Sequence, residues 1–393
     1  MLDIKKIRGC WLEVNLDNIS HNLKMIKDHI NNEKVIINVV LKANGNGHGA
    51  IKVAHTAIEN GITAFSVAIL DEAIELRQAG IYQSILILGI TAGERVDEIV
   101  KYGVEQTVDN YYNAKLISDA ATAAGKTVKI HIKVDTGLNR LGFRPVEESL
   151  EEILKIFSLG GIEIKGIFTH LAVSDITDKT FTEQQFKKFN FFTDLLNKAG
   201  IHIQIKHVAN SAAIVDHGYT YLDMVRTGTL LYGFYPSNEV SKIMNFKEAA
   251  SFKARIVHIH EIGPGDTVSY GRTFKADKIT KIAVIPVGYA DGYMRELSGK
   301  ARVLCNGKRI RVIGRICMDQ TMIDITNAGE VHINDEVVLY GQQGNEKISF
   351  DDVANLVGTI NIDVSSRISR RVPRVYIKNG KICDIVNYLY KLD

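Results

Sequence analysis

The stretch VIINVVL, residues 35–41, runs directly into Lys42, and it decides the fold because stretches of the same kind return along the chain. Apolar, β-branched runs of this length are typical of buried strands. A helical pattern follows over about residues 49–60 and ends at Gly61. Seven more strand-like runs follow, most of them trailed by a helical run: TAFSVAI (63–69), SILILG (84–89), VEQTVDN (104–110), KTVKIHIKV (126–134), IEIKGIFTH (162–170), IHIQIKHVA (201–209) and YLDMVR (221–226). Eight strands that alternate with helices predict an α/β fold, a (β/α)8 barrel of the TIM type.

Several of these predicted strands end on side chains that could take part in chemistry. They are Lys42, Lys133, Asp135, His170, Asn210, Ser211 and Arg226. In a (β/α)8 barrel the carboxyl ends of the strands meet on one face, where active sites are built. Groups that are scattered along the sequence would therefore share one pocket, which predicts an enzyme.

The pattern changes after about residue 247 to short β-rich runs separated by turn sequences such as GPGD and NAGE. Examples are SFKARIVHIHEI (251–262), KIAVIPVGYA (281–290) and ARVLCNGKRIRVIG (301–314). A chain of 393 residues also exceeds one average domain. The sequence therefore predicts a barrel domain over residues 1–247 and a mainly β domain over residues 248–393.

Composition and charge exclude several classes of function. The chain has 48 Lys and Arg against 45 Asp and Glu, and its formal net charge of +3 is too small to indicate a nucleic-acid surface. The N-terminal residues lack the apolar core of a signal peptide, and no apolar stretch approaches the roughly 18 residues of a membrane span. We therefore expect a soluble, cytoplasmic protein without nucleic-acid or membrane partners. The four cysteines form no CxxC pair, so neither a disulfide framework nor a metal site is predicted.

Lys42 is a candidate for covalent chemistry. It follows a very apolar strand and precedes ANGNGHG, so its amine would lie partly desolvated at the mouth of the barrel. A desolvated lysine has a lowered pKa and can form a Schiff base. The alternative is a lysine that binds phosphate or lies on the surface. The glycines after Lys42 form neither a Walker loop nor the dinucleotide-binding pattern.

The ends of the last two predicted strands carry two further features. Ser211 supplies a hydroxyl, and the turn at Gly228 and Thr229 could present bare backbone amides, which together would suit a phosphate group. The alternative is tight packing of small residues. Arg226 keeps its proton, so facing a pyridine nitrogen it would leave that nitrogen unprotonated and make the ring a weaker electron sink. A salt bridge at the barrel rim is the alternative for Arg226.

A series of motifs along both predicted domains resembles the alanine racemase family, pyridoxal-phosphate enzymes of fold type III that combine a barrel with a β domain. In order, the motifs are LKANGNGHG, KVDTGLNRLG, FTHLA, HVANSAA, MVRTGTLLYG, VSYGRTF, IPVGYADGY, GRICMDQ and RISRRVPR. The resemblance covers nearly the whole chain and implies a racemase that interconverts L- and D-alanine.

The resemblance implies a cofactor and two catalytic bases. Lys42 matches the lysine that carries pyridoxal 5'-phosphate and acts as base on one face of the substrate, and Tyr270 matches the base for the opposite face. Removing a proton from one side of Cα and returning one to the other side requires such a pair. The family also implies a hydrogen-bonded chain from Tyr270 through His170 to Arg226. It further implies a homodimer in which the partner subunit supplies the tyrosine.

Other positions match the family's binding residues. The implied cofactor-binding residues are Lys42, Asn46, His170, Asn210, Ser211, Arg226, Gly228 and Thr229. Arg140 matches an arginine near the substrate carboxylate that a carbamylated Lys133 would brace, with an unmodified lysine as the alternative. Met318 would offer its backbone amide to the same carboxylate, and Tyr289 would line the entrance.

Charged residues farther out complete the implied entrance. Asp175, Arg295 and Arg315 align with the access corridor of the family, although solvated surface charge is the alternative for each. Two positions depart from the family pattern, because Asn46 and Ile362 stand where tyrosines are usual. Asn46 can still donate a hydrogen bond to phosphate, whereas Ile362 cannot. The pocket is then either repacked around alanine or wide enough for serine or a basic amino acid.

Three other interpretations remain. A pyridoxal-phosphate decarboxylase of the same architecture would need an acidic residue at the pyridine nitrogen, where Arg226 stands. A noncatalytic cofactor-binding protein is the alternative outside enzymes, but such single-barrel proteins lack the β domain. A degenerate paralogue with a regulatory or storage role is the third, and the retention of Lys42, Arg140, Arg226 and Tyr270 argues against it.

Overall fold

Eight parallel strands curl into a nearly closed barrel in the computed structural model, which describes residues 4–390. Numbered after a first strand β1 (Cys10–Asn15) that lies elsewhere, they are β2 (Ile36–Val40), β3 (Ala64–Val67), β4 (Ser84–Ile87), β5 (Glu105–Val108), β6 (Val128–Lys133), β7 (Ile162–Phe168), β8 (Ile205–His207) and β9 (Met224–Thr227). Neighbours in sequence pair from β2 to β8, and β9 returns to pair with β2. At the seam between β8 and β9, Arg226 N–H donates to Ala209 O at 2.9 Å. The predicted (β/α)8 barrel is confirmed.

Helices alternate with these strands. Up to residue 247 they are Leu16–Ile30, Ala50–Glu59, Leu70–Gln78, Val96–Tyr102, Tyr111–Ala123, Glu147–Phe157, Thr180–Lys198 and Ser211–Asp216. Local chemistry sets their ends. The Asn110 side chain accepts a hydrogen bond from Asn113 N–H at 2.8 Å where one helix begins, and Gly103 takes a left-handed φ of 58° where another ends. Within residues 4–390, no helix is both long and apolar enough to cross a bilayer.

The barrel strands are buried on both faces. Every residue of β3 and of β5 is buried, as expected when parallel strands have helices on one side and a filled interior on the other. Most of the buried side chains are aliphatic, such as Val39, Ile85 and Ile132. Polar exceptions inside these strands therefore need a chemical reason.

The second unit is mainly β, as predicted. A mixed sheet of eleven strands and a short hairpin make it up: β1 with β10 (Ala250–Arg255), β11 (His258–Ile262), β14 (Thr280–Ile285), β15 (Arg302–Cys305), β16 (Lys308–Ile313), β17 (Thr321–Asp324), β18 (Glu336–Gln343), β19 (Glu346–Ile348), β20 (Arg374–Lys378) and β21 (Lys381–Val386) in the sheet, and β12 (Thr267–Val268) with β13 (Phe274–Lys275) in the hairpin. The sheet order is β11-β14-β17-β16-β15-β18-β10-β1-β20-β21, and β19 pairs with β18. Helices Phe350–Val357 and Asn361–Ser366 complete this unit.

The chain divides after residue 247, and two earlier segments also join the β unit. Strand β1 pairs antiparallel with β10 and parallel with β20, so it belongs to the β unit. Residues 46–49 belong there too, where Gly47 O accepts a hydrogen bond from Arg374 Nε at 3.0 Å. The barrel unit comprises residues 19–45 and 50–247, and the β unit comprises the described parts of residues 1–18, 46–49 and 248–393. Strand partners lie far apart in sequence, and an apolar run alone does not specify them.

Candidate active site

The carboxyl end of the barrel collects most of the side chains that the sequence singled out. Lys42 lies two residues after β2, Lys133 is the last residue of β6, and Arg226 lies near the end of β9. His170 follows β7, and Ser211 follows β8. Because these strands are parallel, all five positions lie at the same end of the barrel unit.

A left-handed turn holds Lys42 at the end of its strand. Ala43, Asn44 and Gly45 have φ angles of 53°, 54° and 61°, and this conformation is costly for residues with a Cβ. Side chains compensate, because Glu72 accepts the Ala43 N–H and Asn44 Oδ1 accepts the Ala50 N–H at 3.0 Å. The turn fixes the backbone from which the Lys42 side chain extends. Glu72, which lies in the helix after β3, was not identified from the sequence.

Lys42 is exposed at the barrel mouth, yet nearby protein atoms remove much of the solvent from around its amine. Desolvation lowers its pKa from the ordinary value, and the positive charge of Arg140 lowers it further, while Glu72 acts in the opposite direction. A larger neutral fraction makes the amine a better nucleophile and base. This electrostatic setting agrees with the Schiff-base interpretation of Lys42.

Arg226 is buried, and it makes no ion pair within residues 4–390. Its terminal nitrogens donate to Thr169 O at 2.8 Å and to His207 Nδ1 at 2.9 Å. They also lie 3.3 Å from His170 Nδ1. The rim salt bridge considered from sequence is therefore wrong. Burial, followed by the charge of Arg140, lowers the pKa of Arg226 to about 9, which still leaves it protonated at neutral pH.

His170 is held as a neutral imidazole. Desolvation and then the charges of Arg226 and Arg140 keep its pKa well below the ordinary value. Since a guanidinium can only donate, Nδ1 of His170 must accept, and the ring proton then resides on Nε2. His170 is therefore able to donate a hydrogen bond from Nε2.

The loops after β8 and β9 are joined at Ser211. Its Oγ accepts the Gly228 N–H at 3.0 Å, so the Gly228 amide is not bare as the sequence suggested. The hydroxyl keeps its own proton for another acceptor. Asn210 begins the helix Ser211–Asp216 by accepting Ala213 N–H at 3.0 Å. Thr229 begins the short turn Thr229–Tyr232 beside it.

Lys133 is buried beneath the loop that carries Arg140. Its Nζ donates to Val134 O at 2.7 Å and lies 5.6 Å from the centre of the Phe168 ring. Desolvation, followed by the charge of Arg226, lowers the pKa of Lys133 to about 7. Asp135 shapes the loop by accepting the N–H groups of Gly137 and Asn139, both at 3.0 Å. The exposed Arg140 follows, and its charge acts on Lys42, Lys133 and Arg226 alike.

In the β unit, Tyr270 begins a short turn and is 71% exposed. The residue before it, Ser269, has φ 65° and ψ −178°, a conformation that only glycine adopts readily. The Ser269 hydroxyl donates to Arg315 O at 2.6 Å and holds this conformation in place. This hydrogen bond links the strained segment that carries Tyr270 to the segment that carries Arg315.

Tyr289 and Met318 also lie side by side. Tyr289 N–H donates to Cys317 O, and Ala290 N–H donates to Met318 O, both at 3.1 Å. A Cβ on Gly288 would lie 2.2 Å from Cys317 O, so only glycine permits this close approach. Both Tyr289 and Met318 are exposed.

The remaining expected residues are more scattered. In the β unit, Arg295 is exposed, whereas Asn46 is buried and Ile362 is half-buried. A Cβ on Gly47 would lie 2.2 Å from Ser365 O, so the segment of Asn46 packs against the helix that carries Ile362. In the barrel unit, Asp175 is half-buried, and its carbonyl accepts a hydrogen bond from the Ser237 hydroxyl.

Three buried polar residues inside the barrel were missed: Glu105, His131 and His207. Glu105 begins β5 and His131 lies two residues before Lys133 in β6, so neither stands at the carboxyl end of a strand. The available signal was a polar side chain within an otherwise apolar strand. His131 and Lys133 also share the side of their strand, because side chains alternate with a period of two.

These features define a two-unit barrel enzyme with cationic and imidazole side chains at the carboxyl end of the barrel. Comparisons with known proteins agree. The model of the alanine racemase N-terminal domain matches residues 14–236, and that of the alanine racemase C-terminal domain matches residues 249–376. Alanine racemase 1 of Clostridium acetobutylicum is 48% identical over 386 residues, covering 98% of this chain and 100% of that protein.

Solved structures give the same result. Alanine racemase from Clostridium difficile 630 superposes with a TM-score of 0.95 at 40% identity, covering 98% of this chain and 100% of that one. Alanine racemase from Bacillus anthracis with bound L-Ala-P superposes with a TM-score of 0.93 at 36% identity, covering 98% of each chain. The chain belongs to the alanine racemase family, and it is a racemase, one of the isomerases. The resemblance seen in the sequence is confirmed, and no finding favours the decarboxylase or noncatalytic alternatives.

Proposed function

We propose that this chain interconverts L- and D-alanine with pyridoxal 5'-phosphate as cofactor and with Lys42 and Tyr270 as catalytic bases. The observation that carries the proposal is the buried Arg226, a guanidinium hydrogen bonded to neutral acceptors only. An acidic residue there would strengthen the electron sink of a pyridine ring, as decarboxylation requires. A guanidinium leaves the ring nitrogen unprotonated, which favours proton removal and return.

The barrel residues fit this cofactor. When bound, it holds the amino group of the substrate and delocalises the charge that develops at Cα. Lys42 would bind the cofactor covalently. Arg226, which lies next to His170, would face the pyridine nitrogen of the cofactor. The Ser211 hydroxyl, whose proton is not used by the Gly228 amide, would donate to the phosphate. Asn46, Asn210, Gly228 and Thr229 are proposed as further phosphate contacts, with the Gly228 amide shared between Ser211 Oγ and the phosphate.

The two bases would act on opposite faces of Cα. The lowered pKa of Lys42 supports its role, because a neutral amine can take a proton. Tyr270 would accept a proton as a phenolate and return it as a phenol. A neutral His170 that donates from Nε2 would stabilise that phenolate, and Arg226 fixes His170 in the required tautomer.

The substrate carboxylate would be held by cationic and amide groups. Arg140 is proposed to pair with it, as supported by the reach of its charge to Lys42 and Arg226. Lys133, once carbamylated, would brace Arg140, and its lowered pKa supplies the neutral amine that reacts with carbon dioxide. The backbone amide of Met318 would add a donor. The proposed entrance residues are Asp175, Tyr289, Arg295, Arg315 and Ile362.

The proposed enzyme is a homodimer with shared sites. Tyr270 is 71% exposed on its own chain, which leaves it available to a second subunit. Each site would then combine the barrel of one subunit with the partner subunit's Tyr270. Alanine alone is proposed as substrate, because curated relatives that are 46% to 48% identical over 98% of this chain are alanine racemases, whereas a structurally similar histidine racemase is 28% identical.

The test is a chiral assay of the protein loaded with pyridoxal phosphate. We expect either enantiomer of alanine to become an equal mixture, and serine and lysine to react far more slowly. Lys42→Ala should lower the rate about 1,000-fold or more, whereas Lys24→Ala, at an exposed ion pair, should not change it. Absence of alanine turnover by cofactor-bound protein would overturn the proposal.

A further inference from the structure

A line of buried polar side chains leads from Arg226 into the barrel interior. His207 Nδ1 lies 2.9 Å from Arg226, and His207 Nε2 lies 3.0 Å from His131 Nδ1. His131 Nε2 lies 3.0 Å from Glu105 Oε2, and the other oxygen of Glu105 accepts from Lys165. We call Glu105, His131 and His207 the internal array. The two histidines are 1% exposed or less and Glu105 is 7% exposed, so the array lies away from water.

The hydrogen bonds of the array allow one arrangement of protons. Arg226 can only donate, so His207 Nδ1 must accept. His207 then carries its proton on Nε2 and donates to His131 Nδ1. His131 in turn carries its proton on Nε2 and donates to Glu105. A carboxylate at the far end therefore determines which nitrogen of His207 faces Arg226.

Charges and packing support this arrangement. Burial alone would raise the pKa of the Glu105 carboxyl, but His131 and Lys165 bring it down to about 2, so Glu105 accepts as a carboxylate. Desolvation lowers the pKa of both imidazoles, and that of His207 lies well below the ordinary value, so both rings are neutral. The His207 ring stacks on Phe168 with 4.7 Å between centroids and 10° between planes, which fixes its orientation.

The barrel wall makes room for the array. A Cβ on Gly166 would lie 2.2 Å from His131 Nδ1, so glycine at this position in β7 is what admits the imidazole. The register between β6 and β7 also shifts between Ile130 and His131. At the opposite, amino end of the strands, Glu105 and Lys165 line a cavity of about 590 Å³, so the array ends in a largely buried ion pair.

We propose that Glu105, His131 and His207 are positioning residues that hold Arg226 through a fixed histidine tautomer. The array keeps an acceptor on His207 facing the guanidinium, and this restricts the terminal nitrogens of Arg226 to the barrel wall. The Nε–H of Arg226, which has no partner among the described residues, stays available for the cofactor. The inference rests on the proposed function, in which Arg226 faces the pyridine nitrogen.

Two replacements of Glu105 separate positioning from packing. Glu105→Gln keeps an oxygen acceptor for His131, whereas Glu105→Leu removes it and leaves a buried N–H without an acceptor. In Glu105→Leu the two imidazoles can reverse their tautomers, which would turn an N–H of His207 toward Arg226. Glu98→Leu, at an exposed carboxylate, is the matched control.

The experiment combines nitrogen NMR of ¹⁵N-histidine-labelled holoenzyme with kinetics on alanine. We expect neutral Nε2–H signals for His131 and His207 in the wild-type protein, in Glu105→Gln and in Glu98→Leu. Glu105→Leu should show Nδ1–H signal and a kcat lowered about tenfold or more, and Glu105→Gln should restore most of the rate.

Several results would overturn the inference. One is a charged or Nδ1-protonated His207 in the wild-type spectrum, which needs no variant to fold. Another is Glu105→Leu with unchanged tautomers, whatever its kcat, since a purely structural role would leave the tautomers alone. Absence of alanine turnover in the wild type would count against the proposed function only, because the spectra require no turnover.

Discussion

At the scale of single residues, Arg226 brings a positive charge into the barrel interior without a carboxylate beside it. Burying such a charge is costly unless acceptors surround it. Thr169 O, His207 O and Val208 O lie 2.8 to 3.2 Å from its terminal nitrogens and supply that compensation from the backbone. Because carbonyls cannot take a proton, Arg226 stays a donor, which is what the proposed chemistry requires.

Lys133 gives a prediction of pH dependence. Its pKa is about 7 in the folded protein, against ~10.4 for an ordinary lysine. The amine is therefore mostly neutral above pH 7 and mostly protonated below it, and carbon dioxide adds only to the neutral form. With ¹³C-bicarbonate, a carbamate NMR signal should grow as pH rises through about 7. Lys133→Ala should abolish this signal and Lys129→Ala should keep it; a signal that ignores both would contradict the assignment.

The residues that follow or end apolar runs were predictable from the sequence. The polar residues of the internal array were not. Lys42, His170 and Arg226 follow or end apolar runs, so their meeting at one face followed from the barrel topology. Glu105 begins β5 and His207 ends β8, and the importance of both depends on which distant strand lies opposite them. That information resides in the register between strands, and a local pattern does not contain it.

At the scale of elements, the turn after β2 stores backbone strain beside Lys42. Five consecutive residues, 43 to 47, have positive φ, and three of them carry a Cβ. Such residues cost roughly 1 to 2 kcal/mol each in this conformation. Glu72 and the Asn44 side chain offset part of that cost through hydrogen bonds to the backbone. The element is therefore a rigid support for Lys42, although its glycines suggest a flexible loop.

Gly47 and Gly80 give a matched pair for testing close packing next to this turn. Both have positive φ, 88° and 80°, but a Cβ on Gly47 would lie 2.2 Å from Ser365 O, whereas a Cβ on Gly80 would meet nothing within 4 Å. Gly80→Ala should cost about 1 kcal/mol of unfolding free energy through strain alone. Gly47→Ala should cost about 3 kcal/mol or more, because it adds a steric overlap. Equal losses of unfolding free energy for the two variants in denaturant titrations would contradict the close packing of Gly47 against Ser365.

The elements themselves were largely predictable, with instructive exceptions. Eight apolar runs gave the eight barrel strands, because parallel strands buried on both faces need continuous apolar sequence. The pairing of strand β1 was not predictable, since its partners β10 and β20 lie more than 200 residues away in sequence. The left-handed turn was not predicted either, because Ala43 carries no local signal for positive φ, although Asn44 is of a type that tolerates it.

At the scale of the whole molecule, the proposed function requires two subunits for each site. Mixing Lys42→Ala and Tyr270→Ala chains should restore activity, because one of the two sites in each mixed dimer then has both bases. With random exchange, half of the dimers are mixed, so about one quarter of the wild-type rate is expected. Differently tagged chains would verify the exchange. Verified mixed dimers without activity would show that the tyrosine acts within its own chain.

Lys42 and Tyr270 are proposed to serve opposite faces of Cα, and exchange of the α-hydrogen separates their contributions. Tyr270→Phe removes one base and leaves Lys42 intact. In heavy water, the variant loaded with pyridoxal phosphate should exchange the α-hydrogen of one enantiomer of alanine and leave the other unlabelled, with almost no conversion between them. Exchange into both enantiomers at similar rates, or racemisation at the wild-type rate, would contradict the two-base account.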